Sequence, residues 1–352
     1  MQELLEGLLR QGITKGCFPG AAAACGDRDG LLAVAWDGVL WENGPRVNRE
    51  TRYDMASMTK IMGPTMLALR ALEDGDITLY DTVGGFFPEA PEDKRDITVF
   101  QLMTHTSGMV TGMRMDRMGI RPDQVLDTVF HTPLAFQKGK APHYSCIGYI
   151  TLGKMLEKLY GENLMELTRK RVFEPLGMAH TGYCPTGGNI AATEIDPDTG
   201  KALVGVVHDE NARLLGGVSG NAGIFSDVDD TARFARMLAR WGDGFLSPAT
   251  VRKAIRNDTP GCEAHRGLGF HLAGTPENFI GDLFPEDSFG HTGFTGTSLA
   301  IDPETGFFAV LLTNRVHPTR ENGLHAPFRR RFHNALYAAY SRQHGIDKQH
   351  RL

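Results

Sequence analysis

Ser57 and Lys60 stand three residues apart in "DMASMTK", between a polar stretch and an apolar run. Positions i and i+3 share one face of a helix, so the hydroxyl and the amine would point the same way. A serine hydroxyl becomes a good nucleophile only when a base takes its proton. Lysine can serve if its pKa is lowered. The backbone N–H of Ser57, unpaired at a helix start, could donate to an oxyanion. A tyrosinate beside a lysine ammonium could also act as base, and Tyr144 in "HYSCIGYITLG" opens a helical pattern after a polar loop. In "FGHTGFTGTSLAID", His291-Thr292-Gly293 begins a strand. Gly293 would allow close approach of a ligand or another backbone. His291 offers a polar or partly cationic group at neutral pH, and the N–H of Phe294 a second oxyanion donor. Each stretch alone also fits an ordinary helix start, a core-capping tyrosine or a glycine-rich strand start.

The elements that must position these residues follow from periodicity. Leucine spacing predicts a helix over residues 2–12, and two strands flank the turn Asp27-Arg28-Asp29-Gly30. One helix is expected from "ASMTK" to Gly75, kinked at Pro64. Residues 80–250 read as helical patterns between Gly/Pro loops, including "GYITLGKMLEKLYG" and "DDTARFARMLARWG". A hairpin is expected over 297–314 and a closing helix in "PFRRRFHNALYAAYSR". Strands at both ends around a helical middle predict one antiparallel sheet built from both termini, with the helical region inserted.

The 352 residues carry 41% hydrophobic side chains, enough for a large core, and a net charge of -5. That charge gives no general basic field for nucleic acid, and Arg329-Arg330-Arg331 reads as a solvated helix face. Five cysteines without a C-x-x-C pair argue against a disulfide framework or a zinc site. No metal and no cofactor is expected. No apolar run has the length of a membrane span, and the acidic start "MQELLEGLLRQG" does not read as a secretory signal. A reduced, cytoplasmic setting is the expectation; the oligomeric state is left open.

Together and in this order, Ser-x-x-Lys, the Tyr144 stretch and His-Thr-Gly resemble the serine β-lactamase and penicillin-binding-protein superfamily. The nearest branch is that of class C β-lactamase-like esterases and D-amino-acid peptidases. "FPGAAAACGDRDG", "ITVFQLMTHTSGM", "LGGVSGNAGIFSDVDDTARFARML" and "GHTGFTGTSLAIDPETGFFAVLLTNR" extend the resemblance over roughly residues 15–340. It implies an α/β plus all-α, β-lactamase/transpeptidase-like fold: an antiparallel sheet flanked by helices, with an inserted helical domain. Residues 1–80 and 255–352 would form the sheet domain and 81–254 the helical one, the active site lying in the cleft between them. By resemblance Ser57 is the acyl-accepting nucleophile, Lys60 shares its proton network and Tyr144 is the general base. Thr292 and His291 would line the substrate side. The implied substrate is a small ester, an amide or a peptidoglycan-like molecule.

Two departures stand out. The tyrosine motif of the superfamily commonly reads Tyr-x-Asn, but here it is Tyr144-Ser145-Cys146. A thiol binds a lysine or a substrate amide more weakly than a carboxamide does, which puts amide substrates in question. A buried small hydrophobe is the expected character of Cys146. His291 stands where many β-lactamases carry lysine and should bind anions more weakly. His105 and His208 read as structural histidines. The rival functions are an acyltransferase using the same acyl-enzyme and a non-hydrolytic, penicillin-binding or sensor-type protein.

Overall fold

The structure, a computed structural model, describes residues 1–197, 199–275 and 278–345. Helix α1 (Gln2–Thr14) leads into β1 (Gly20–Gly26) and β2 (Leu31–Gly38). After β3 (Tyr53–Asp54) come helices α2 (Met58–Met62), α3 (Pro64–Asp74) and α4 (Cys146–Tyr160). Strands β4 (Gly182–Tyr183) and β5 (Ile224–Ser226) precede α5 (Val228–Ala239). The chain closes with β6 (His271–Leu272), β7 (Phe289–Thr292), β8 (Ser298–Ile301), β9 (Phe308–Thr313) and α6 (His325–His344).

The large sheet is antiparallel, in the order β2-β1-β9-β8-β7-β6. As expected, the first and last strands share it: Ala23 lies opposite Ala35 on one side and Leu311 on the other. Strand side chains alternate between faces, and β1 feeds two cores. Ala21, Ala23 and Cys25 pack with Leu311 under α1 and α6, against Leu5, Leu9, Phe332 and Leu336. Ala22 and Ala24 join Val310 and Leu312 against Phe234, Ala235 and Leu238 of α5. Alanine at the centre lets helices approach both faces. Each fully buried Val or Leu here stabilises by about 1.5–3 kcal/mol.

The structure corrects two local expectations. The single helix expected to Gly75 is two helices, broken at Gly63 (φ −109°, ψ −94°). Pro64 opens α3 at its first turn, where its missing N–H costs nothing. The helical middle also contributes to a second sheet, β3-β5-β4. Tyr53 pairs with Ser226, Gly182 with Phe225, and Met55 N–H donates to the Ile224 carbonyl at 2.9 Å. Two-residue strands carry too little pattern to be read from sequence.

Candidate active site

Ser57 caps the N-terminus of α2, yet its hydroxyl makes no capping bond. It is engaged instead by Lys60 Nζ at 3.0 Å. The turn before it is tight. Ala56 adopts φ +45°, an unfavourable region for a residue with a Cβ. Buried Asp54 holds that turn by accepting Ala56 N–H at 2.8 Å. The same carboxylate accepts the His208 N–H at 2.6 Å, and burial raises its pKa.

Lys60 is fully buried. Its three ammonium protons find three acceptors: Ser57 Oγ, the Asn221 carbonyl at 2.9 Å and Cys146 Sγ at 3.6 Å. Burial disfavours its charge, but the anionic character available at Cys146 and Tyr144 outweighs that and holds its pKa above the ordinary value. Lys60 is therefore an ammonium at neutral pH. The expectation of Cys146 as an inert hydrophobe is corrected: its thiol is partly exposed and faces the lysine.

Tyr144 is brought to the same place, with Lys60 Nζ 4.9 Å from its ring centroid. Burial raises the phenol pKa; Lys60 and Ser57 oppose that without cancelling it. His105 holds the loop. Its carbonyl accepts His143 N–H at 2.8 Å, its Nδ1 accepts Ser145 N–H at 3.1 Å, and its ring lies 4.5 Å from that of Tyr144. Ser145 then caps α4 through Gly148 N–H.

The end of β7 is drawn against the nucleophile turn. A Cβ on Gly293 would fall 2.4 Å from the Met55 carbonyl oxygen and 2.1 Å from Thr297 Oγ1. Thr295 and Thr297 hydroxyls donate to the carbonyls of Asp54 and Met55 at 2.6 and 3.1 Å. Phe294 is kept in place by Arg315, whose Nε donates to its carbonyl at 2.8 Å and whose guanidinium lies 4.6 Å from its ring. The ring of His208 stacks on Phe294 at 5.6 Å and its Nε2 meets Glu194 at 3.0 Å. Among the described residues, the N–H groups of Ser57 and Phe294 have no backbone acceptor.

A cavity of about 380 Å³ opens on Ser57, Tyr144, His291, Thr292, Gly293 and Phe294. The charge expected of His291 is not found. The ring is fully buried, and desolvation together with the Lys60 field pushes its pKa well below the usual histidine range. It is neutral at pH 7, with Nδ1 accepting Thr292 N–H at 2.9 Å. The positive charge in the cavity comes from Arg266, Arg315 and Arg329. Arg329, expected on a solvated helix face, is turned inward. No sequence signal marks Asn221, which acts through its backbone carbonyl, or Arg266 in "HRGLGFHL". No group of three or more His, Cys, Asp or Glu suited to a metal occurs among the described residues. No helix among them is long and apolar enough to cross a membrane.

Comparison with known proteins gives a consistent picture. A protein of Escherichia coli (strain K12) named "Putative D-alanyl-D-alanine carboxypeptidase" is 29% identical over 322 residues, spanning 81% of this chain and 74% of that protein. The structure of EstCE1, described as a hydrolase with promiscuous acyltransferase activity, superposes with a TM-score of 0.79. The match has 22% identity over 95% of this chain and 98% of that one. An octameric penicillin-binding protein homologue from Pyrococcus abyssi gives a TM-score of 0.76 and 21% identity, over 95% of this chain and 77% of that one. The sequence model of the Beta-lactamase family matches residues 5–333. The chain therefore belongs to the beta-lactamase family of serine hydrolases.

Proposed function

We propose that this protein cleaves an ester or amide bond through an acyl-enzyme on Ser57. The observation that carries this reading is the fully partnered Lys60 ammonium, with one N–H on Ser57 Oγ. Ser57 Oγ attacks the carbonyl carbon, and its proton passes to the Tyr144 phenolate oxygen, whose charge Lys60 stabilises. The N–H groups of Ser57 and Phe294 receive the oxyanion. On collapse of the tetrahedral intermediate the carbon–leaving-group bond breaks and Tyr144 returns the proton to the leaving group. Water then repeats the sequence to release the acid. The proposed division of the chain puts residues 1–80 and 255–352 in a sheet-bearing part and 81–254 in a helical part, with the active site between them. Tyr144, from the second, lines the cavity together with residues of the first, which supports that reading.

Peptidoglycan-like peptides ending in a D-amino acid are the proposed substrates. The name of the E. coli relative and the arginines of the cavity support them. Esters should also react, because a good leaving group demands less of the site. Acyl transfer is the second reading, supported by the description of EstCE1. A purely binding protein would not need a serine held against a buried ammonium. The test is a fluorophosphonate probe followed by peptide mass spectrometry, together with p-nitrophenyl esters, D-amino-acid amides and nitrocefin, with and without an alcohol acceptor. Labelling of Ser57 is expected; a protein that neither labels nor turns over any of the panel is not a hydrolase of this kind.

A further inference from the structure

Arg266 and Arg329 both line the cavity that holds Ser57, and neither meets a carboxylate among the described residues. Arg266 is 8% exposed, and its Nε and Nη1 are buried without a hydrogen-bond partner; so is Nε of Arg329. The Nε2 atoms of His271 and His291, on the same wall, are likewise buried and unpartnered. The two guanidiniums sit in different surroundings. Arg266 lies 5.6 Å from the Tyr144 ring and Arg329 5.4 Å from the Phe279 ring. Both act on His271 and His291, whose rings are 4.5 Å apart and which burial and the neighbouring cations keep neutral.

A buried guanidinium without an anion is costly, and folding retains one only where something repays it. Three guanidiniums line this one small cavity. Arg315 donates to the carbonyls of Phe294, Arg320 and Asn322. That leaves Arg266 and Arg329, with unpartnered nitrogens of His271, His291 and His325, unanswered by any acidic side chain among the described residues. Among the described residues the compensating charge is left to the ligand. A single carboxylate can be held bidentately by one guanidinium, which leaves the second unmatched.

We propose that the substrate carries two carboxylates, and that Arg266 and Arg329 each bind one. For a peptide substrate this means a terminal dicarboxylic amino acid, with its α-carboxylate on one guanidinium and its side-chain carboxylate on the other. The neutral rings of His271 and His291 line the same cavity and supply N–H or lone-pair contacts without repelling either arginine. The identification rests on the hydrolase reading above, but its test does not need turnover.

The experiment uses the full chain carrying Ser57→Ala, which cannot form an acyl-enzyme, and isothermal calorimetry. The probes are N-acetyl dipeptides ending in D-Glu, D-Asp, D-Gln and D-Ala. D-Gln keeps the shape of D-Glu and removes one charge. The better of the two dicarboxylates is expected to bind at least about tenfold tighter than D-Gln or D-Ala, the scale of one added charge-assisted contact. Adding Arg266→Gln or Arg329→Gln should each erase most of that ratio, and Arg→Lys at either position should restore part of it. Equal binding of all four peptides overturns the proposal, as does a ratio untouched by both glutamine variants. Should those variants not fold, the comparison of D-Glu with D-Gln on the unmodified cavity decides alone. Failure of the hydrolase reading would appear separately, as wild-type protein that binds the dicarboxylate but never labels on Ser57.

Discussion

Lys60 Nζ lies 2.9 Å from the backbone carbonyl oxygen of Asn221, a residue 161 positions later in the chain. That carbonyl, Ser57 Oγ and Cys146 Sγ use all three protons of the ammonium. A neutral amine could meet the same three groups by accepting the Ser57 hydroxyl proton on its lone pair, but the raised pKa of Lys60 favours the ammonium. In the proposed mechanism Lys60 is a fixed cation and Tyr144 takes the proton.

Replacing the nucleophile or its cation should stop the chemistry without unfolding the protein. Ser57→Ala should abolish fluorophosphonate labelling, and both Ser57→Ala and Lys60→Met should lower p-nitrophenyl ester turnover by about a thousandfold or more. Ser57→Ala should melt close to wild type. Labelling that persists elsewhere in the chain would contradict the assignment.

Activity should climb with pH on the alkaline side. Burial raises the pKa of Tyr144, and Lys60 is also held above its ordinary value. The reactive form has lost one proton from this pair, so raised values move the rising limb of kcat/KM to higher pH. We expect the rate still to increase above about pH 8. Tyr144→Phe should keep the fold, slow acylation strongly and remove that limb. A profile that levels off below neutrality in wild type would exclude this base.

Gly293→Ala should damage catalysis more than stability. The added methyl would collide with the Met55 carbonyl, 2.4 Å away, and with Thr297 Oγ1. Relief requires moving Phe294 and its N–H away from Ser57. Loss of one oxyanion donor costs about 10²–10³ in kcat, whereas overpacking costs about 1–3 kcal/mol of stability. Stopped-flow acylation and thermal melts measure the two; an active variant would remove Phe294 from the oxyanion site.

Cys146→Asn tests the departure in the tyrosine motif. A carboxamide oxygen would accept from Lys60 better than the thiol now 3.6 Å away, and its NH₂ could meet a substrate amide carbonyl. Nitrocefin acylation should rise relative to p-nitrophenyl acetate cleavage, and wild type should favour the ester. An unchanged ratio would show that Cys146 does not set this preference.

His105→Phe should separate ring stacking from hydrogen bonding. Phenylalanine can preserve the contact with Tyr144 but cannot accept the Ser145 N–H that now reaches Nδ1 at 3.1 Å. The expected outcome is a fall in kcat of about tenfold with KM little changed. Equal kcat would make His105 a packing residue alone.

Much of the fold is legible in the sequence alone. Alternation and turn residues implied two strands around the turn at 27–30 and a hairpin over 297–314, found as β1-β2 and β8-β9, and strands at both ends around a helical middle implied a shared sheet. The spacing of Ser57 and Lys60 implied a common helix face, and glycine at 293 implied a close approach, because both signals are local and carried by side-chain type. Tertiary structure decided what depends on distant partners. Lys60 finds one of its three partners in the Asn221 carbonyl, and a backbone group leaves no mark in residue identity. The neutrality of His291 comes from complete burial beside Lys60. The inward turn of Arg329, which puts it in the lining of the same cavity as Arg266, depends on how α6 docks on the sheet. Periodicity tells which residues share a face, but not which pole of the molecule that face will enclose.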